Sequence, residues 1–103
     1  MERRWTVHIL CKPYVFEILE ALDRRPLRFV DLEEHCPNER TRADRLRRLN
    51  VKGFVERFLS EVEGRVFIHY RLTRKGRRAL RLLRELRSLV DAEAGGAGGD
   101  VSP

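Results

Sequence analysis

Apolar positions recur at helical spacing in the first part of the chain. Val15, Ile18, Leu19 and Leu22 stand at i, i+3, i+4 and i+7 within Pro13–Asp23, which predicts an amphipathic helix with proline in its first turn. Arg24-Arg25-Pro26 ends it, because a residue before proline is pushed out of the helical region. Leu27–Phe29 reads as a short extended piece, and Val30–His35 as a short helix with Val30 and Leu32 as its apolar positions. Pro37-Asn38 breaks the chain again. Asn38 or Thr41 suits the cap of a third helix running to about Lys52, and Gly53 follows where a left-handed residue is wanted. On that helix Ala43, Leu46 and Leu49 gather on the side expected to face a core. Arg40, Thr41, Asp44, Arg45 and Arg48 spread over the other side.

After Gly53 the period changes. Phe54–Leu59 and Val66–Tyr70 are rich in β-branched and aromatic residues, and Glu63-Gly64 supplies a turn between them, so a β-hairpin is predicted. Thr73 then opens a long Arg-rich helix reaching about Ala92. Its apolar residues Ala79, Leu80, Leu82, Leu83, Leu86, Leu89 and Val90 cover an arc of about 180°, wider than one core-facing stripe of roughly 100° needs. The excess calls for a cover. A second copy of the chain is the economical one, with Leu82, Leu86, Leu89 and Trp5 at the dimer contact; the alternative is that the arm carrying Trp5, Val7 and Ile9 folds over the helix within one subunit. Glu93–Pro103 holds four of the seven glycines and reads as a flexible tail, which leaves 1–92 as a single domain. Helix, extended stub, helix, break, helix, hairpin and long helix make an α+β chain, mainly α, in the order of a winged helix-turn-helix.

Composition adds the next constraint. The 103 residues are 42% hydrophobic, enough for a core, and carry a formal charge of +6. That charge is concentrated. Asn38–Lys52 holds Arg40, Arg42, Arg45, Arg47, Arg48 and Lys52 against Glu39 and Asp44, and Arg71–Arg87 holds eight basic residues against Glu85 alone. Lys12–His35 is net acidic. Positive charge gathered on particular elements is the electrostatic footprint of a nucleic-acid binder, and an α-helix bearing Arg fits the major groove of duplex DNA. Asp44 either accepts a hydrogen bond from cytosine or orients neighbouring arginines. Arg65, beside the hairpin turn, is placed to meet backbone or minor groove. Arginine outnumbers lysine 19 to 3 and glutamine is absent, which fits a hot source and equally a coding bias.

Little else in the chain suggests chemistry. No Ser-His-Asp spacing, glycine-rich phosphate loop or paired-carboxylate cleft is present, so no enzyme and no cofactor is expected. His8, Cys11, His35, Cys36 and His69 match no standard zinc spacing. No apolar run approaches a membrane span and the N-terminus lacks a secretory pattern, which predicts a cytoplasmic protein associated with the nucleoid.

Three segments carry a resemblance. RPLRFVDLEE (25–34), RLRRLNVKGFVER (45–57) and YRLTRKGRRAL (70–80) resemble the HxlR-type winged-helix transcriptional regulators of the MarR/PadR-like superfamily. The resemblance covers roughly 13–89. It implies a homodimer on a pseudo-palindromic operator, with 38–52 as reading helix and 55–70 as wing. Asn38 stands where members carry Ser, and Arg42 where they carry an apolar residue. Some members sense oxidants or electrophiles through a Cys before the first helix, which makes Cys11, beside Lys12, a candidate thiol sensor. A Cys11–Cys36 disulfide is the other use of these two residues. The expectation is a sequence-specific, homodimeric regulator of double-stranded DNA, with Arg40, Thr41, Asp44, Arg45, Arg48 and Arg65 at the DNA and no effector indicated. A weakly selective chromatin protein, or a winged-helix protein-interaction module, is the alternative.

Overall fold

Tyr14 determines where the first helix begins. It adopts a left-handed conformation (φ 75°), so α1 (Val15–Arg24) starts two residues after the proline, with the Tyr14 carbonyl accepting from the Ile18 N–H at 3.0 Å. The computed structural model of the chain describes residues 9–100. One turn of 3-10 helix, Ile9–Cys11, precedes α1; the arm before it, including Trp5, Val7 and His8, lies outside the described residues. After Pro26 comes β1 (Leu27–Arg28), and then a single 3-10 turn, Val30–Leu32, in place of the expected six-residue helix. Two features shorten it. The Asp31 carboxylate accepts from the Arg28 N–H (3.0 Å) and guanidinium, holding the entry as a side-chain-closed turn, and Pro37 forbids continuation.

Helix α2 (Glu39–Val51) is capped by the Asn38 side chain, which accepts from the Thr41 N–H at 2.9 Å, and ends at Gly53 with φ +83°. The hairpin consists of β2 (Val55–Val62) and β3 (Arg65–Leu72), paired from Val55↔Leu72 to Val62↔Arg65. Glu63 and Gly64 both have positive φ, the geometry of a two-residue hairpin turn. The extended stub β1 pairs with β3 (Leu27↔Tyr70), giving a three-stranded antiparallel sheet in the order β1-β3-β2. Helix α3 (Arg74–Asp100) runs past Ala92, so the helical backbone extends through most of the glycine-rich segment expected to be a tail. Ala92, Glu93, Ala94 and Ala97 are strong helix formers and offset part of the glycines' cost. Three helices around a three-stranded sheet, with a hairpin wing and a long last helix, form a winged helix-turn-helix.

The core is made by Val15, Ile18, Leu19 and Leu22 of α1 against Leu32, Cys36, Leu46, Leu49, Val55, Leu72 and Leu80. Arg42 joins them. It is 5% exposed, while Ala43, expected to face inward, is exposed. The Arg42 guanidinium donates to the carbonyls of Cys36 (2.9 Å), Pro37 (3.1 Å) and Phe29 (3.5 Å) and stacks 4.4 Å from the centre of the Phe29 ring. The Cys36 and Pro37 carbonyls lie in the turn ahead of α2, where no ladder supplies donors, so a five-donor side chain outcompetes a methyl group for the inward position. The Phe29 carbonyl already accepts from the Leu32 N–H. The inner stripe of α2 is therefore Arg42, Leu46 and Leu49.

A second junction fixes α3. Its Thr73 cap accepts from Gly76 N–H (3.0 Å) and donates to the Gly53 carbonyl (2.6 Å), and the Thr73 N–H donates to the Phe54 carbonyl. A Cβ on Gly76 would lie 1.9 Å from the Phe54 oxygen, so only glycine admits this approach.

Replacing Arg42 by alanine strips the Cys36 and Pro37 carbonyls of their donor and leaves a void. Arg42→Ala is expected to cost about 3 kcal/mol, lowering the thermal midpoint on the order of 15 °C by circular dichroism. An unchanged midpoint would show that the turn ahead of α2 holds without it.

Candidate nucleic-acid interface

Turning Arg42 inward rotates the outer arc of α2. Arg40, Ala43, Arg47 and Val51 are exposed on it, with Asp44 and Arg48 at one edge. Arg40 and Arg48 thus lie where the sequence places them. Thr41 is half-buried beside the cap it donates to. Arg45 is not on the outer arc: its side chain is 14% exposed, its Nε donates to the Pro13 carbonyl at 2.9 Å, and it tethers α2 to the start of α1. Arg47, which the sequence reading passed over, takes an outward position instead. The signal was present in the departure at Arg42. A residue standing where relatives carry an apolar one, spaced i, i+4 and i+7 with Leu46 and Leu49, belongs to the inner stripe.

Asp44 gathers three guanidinium groups. Its carboxylate meets Arg45 Nη1 at 2.6 Å, Arg48 Nε at 3.0 Å and Arg47 Nη2 at 3.4 Å. Hydrogen bonding from Arg48 is the main reason its carboxyl titrates below the usual range; partial desolvation opposes this, and the Arg45 hydrogen bond adds to it. Of the two roles open to Asp44, the side chain occupies the orienting one. Asp31 is lowered in the same way by Arg28.

Across from α2 stands the hairpin. One of its faces carries Val55, Arg57, Leu59 and Glu61 opposite Leu72, Tyr70, Ile68 and Val66. Arg57 and Tyr70 line a cleft of about 350 Å³ with Phe29, Ala43, Arg47 and Asn50. Arg65 is exposed beside the turn. On the opposite face Arg71 is bound to Glu56 (2.6 Å) and stacks over Phe58.

The profile of the family described as HxlR-like helix-turn-helix matches residues 1–95. The chain belongs to that family. No curated protein matches it in sequence. Among solved structures, the transcriptional regulator YodB from B. subtilis is similar in both its reduced and its diamide-treated forms. Each is 28% identical with a TM-score of 0.71; the reduced form covers 81% of this chain and 82% of YodB. The fold is shared with smu.1704 from Streptococcus mutans UA159 (20% identity, TM-score 0.76, 95% of each chain). It is shared also with a MarR-family regulator from Enterococcus faecalis V583 (20% identity, TM-score 0.75, 87% of this chain and 83% of that one). YodB and the Enterococcus faecalis protein are described as transcriptional regulators, and the family as helix-turn-helix.

The other candidates are scattered. Cys11 is an exposed free thiol in the turn before α1; Cys36 is a free thiol buried in the core, where desolvation pushes its pKa up. Among the described residues no three His, Cys, Asp or Glu side chains assemble a metal site, and no helix is long and apolar enough to cross a membrane. On α3, Ala79 and Leu80 are buried, whereas Leu82, Leu86 and Leu89 are 57%, 55% and 61% exposed.

The lowered carboxyl of Asp44 makes a pH prediction. A group depressed in the folded state stabilises above its unfolded pKa of about 4 and loses that contribution as pH falls through the folded value. Asp44→Asn is expected to lower the urea midpoint modestly at neutral pH, with the gap to wild type closing between about pH 5 and pH 2. A gap that persists at pH 2 would place Asp44's contribution elsewhere than in its charge.

Proposed function

We infer that the protein is a homodimeric, sequence-specific regulator that reads duplex DNA with α2 in the major groove and sets its hairpin against the flanking backbone. The observation that carries this reading is the outer arc of α2. Arg40, Arg47 and Arg48 project from a helix whose cap, inner stripe and Pro13 tether leave that arc open. Arginine in this position bonds guanine through two donors at once, and Ala43 and Val51 between the arginines offer contact to thymine methyl groups. Arg40 and Arg48 are the base-reading residues and Thr41 adjoins the backbone. Asp44 and Arg45 act from within the protein, the first by orienting Arg48 and the second by seating the helix. Arg65 serves the hairpin tip.

The dimer rests on α3. At about 1.5 Å per residue its 27 residues span roughly 40 Å. Its wide apolar arc divides into a half covered by α1 and the sheet and a half, bearing Leu82, Leu86, Leu89 and Val90, that nothing among the described residues covers. A second α3 is its self-complementary cover. Trp5 belongs to the same contact through the arm before residue 9, outside the described residues. A charge at its centre opposes this pairing: Leu86→Glu is expected to sediment as a monomer while keeping its helical circular dichroism. A dimer that survives the substitution would move the interface off this stripe.

Retention of genomic DNA fragments at increasing salt tests the function. Wild type is expected to select particular fragments and to lose affinity linearly in log[salt], by about 0.9 per neutralised phosphate. Arg40→Ala/Arg48→Ala is expected to lose the selection. Uniform retention of all fragments by wild type would point to a chromatin role, and no retention at low salt to a protein-interaction module.

A further inference from the structure

We propose that the cleft between α2 and the hairpin is a seat for a backbone phosphate of bound DNA, with Arg57 and Tyr70 on its hairpin wall and Arg47 and Asn50 on its helix wall. The inference rests on the DNA-binding reading above; it assigns Arg57, Tyr70 and Asn50, which that reading leaves idle, and gives the outward Arg47 a phosphate rather than a base.

The argument starts from charge. The hairpin Val55–Leu72 is neutral, with Glu56, Glu61 and Glu63 against Arg57, Arg65 and Arg71. It is no basic comb, so its affinity for DNA depends on which cations are unspent. Arg71 is spent on Glu56, on the face turned away from α2. Arg57 is exposed and makes no hydrogen bond or ion pair with another described residue. Its register partner Tyr70 lies on the same face, half-buried, and its hydroxyl and the Asn50 amide likewise bond to no other described residue. Arg47 completes the set. Its long 3.4 Å contact with Asp44 and its two-thirds exposed side chain leave the guanidinium free to turn. No carboxylate lines the cleft.

Shape supplies the second half. A helix lying in the major groove has a sugar–phosphate strand along each flank, because the groove is about as wide as the helix. On one flank of α2 the arc runs through Arg48 and Thr41. On the other it runs through Arg47, Ala43 and Asn50, and there the hairpin rises as a second wall. A strand on that flank has to enter the cleft. Exposed Ala43 keeps the entrance low, and Phe29 and Tyr70 give the cleft an aromatic lining that leaves the sugar an apolar surface. The donors then come from both walls, which is the arrangement that fixes the docking angle of a reading helix without reading sequence itself.

Arg57 is exposed and pairs with no other described residue, so its substitution is expected to leave the fold intact, which an unchanged thermal midpoint checks. Arg57→Ala is expected to weaken binding about tenfold at 0.1 M salt. The loss should be equal on selected and random duplexes, and the slope of log K against log[salt] should shrink by about 0.9 per subunit. Arg57→Lys should restore the slope, and Tyr70→Phe should weaken binding while leaving the slope as in wild type. A full slope in Arg57→Ala would overturn the proposal, and so would a loss confined to the selected fragments, which is the mark of a base contact. If inorganic phosphate raises the thermal midpoint of wild type but not of Arg57→Ala, while the DNA slope stays the same, the cleft takes a free anion and the proposal falls. Failure of wild type to bind any duplex would remove the DNA reading and this inference together. Normal selection by wild type with an unaltered Arg57→Ala would remove the inference alone.

Discussion

A buried guanidinium that meets no carboxylate among the described residues organises this fold. Arg42 is enclosed by the turn that precedes α2 and is satisfied by three backbone carbonyls and one aromatic face. Taking a charge out of water is costly, and neutral acceptors repay it only when several converge with good geometry. In exchange, carbonyls with no ladder partner acquire donors, and the segment from Phe29 to Pro37 is bound to the helix it precedes. The orientation of α2 follows from this. Putting Arg42 inside puts Leu46 and Leu49 inside with it, and puts Arg40 and Arg47 out. A helix-turn-helix is usually held by apolar side chains across its turn; here part of that work is done by hydrogen bonds, which fix direction as well as proximity.

Around this anchor, short-range chemistry was legible in the sequence. The Asn38 cap, the left-handed Gly53, the Glu63-Gly64 turn and the Thr73 start of the last helix are each set by one or two residues whose preferences do not depend on the rest of the fold. The apolar spacing in α1 and the inward position of Leu46 and Leu49 were legible for the same reason. Arg42 and Arg45 were not. Helical periodicity sorts residues by hydropathy, and both arginines are the most polar kind. What draws them in is a set of carbonyls, at Cys36, Pro37 and Pro13, that find no backbone donor among the described residues, which is a property of the folded chain. The left-handed Tyr14 was hidden likewise, since a bulky residue seldom adopts that conformation. The family could be read from three short segments, but the orientation of the reading helix within it required the coordinates.

Asp44 and Arg57 illustrate two ways of handling charge on one surface. Asp44 holds Arg45 and Arg48, which would otherwise spread into solvent, and so trades net charge for defined positions. Arg57 has no partner among the described residues, in a hairpin where Arg71 is bound to Glu56 and Arg65 stands at the far turn. In the DNA-binding reading proposed above, a surface composed in this way presents charges at definite positions, which favours docking in one geometry.

The junction at Thr73 has a mechanical consequence. The end of α2, the base of the hairpin and the first turn of α3 meet there through Thr73, Gly76 and the carbonyls of Gly53 and Phe54, and Lys75 adds a bond to the Lys52 carbonyl. No slack segment separates them. The long last helix is thus joined without a hinge to the foot of α2, and Arg84 ties it again to Glu20 and Asp23 of α1, so the direction in which it leaves the domain and the seat of α2 are set together.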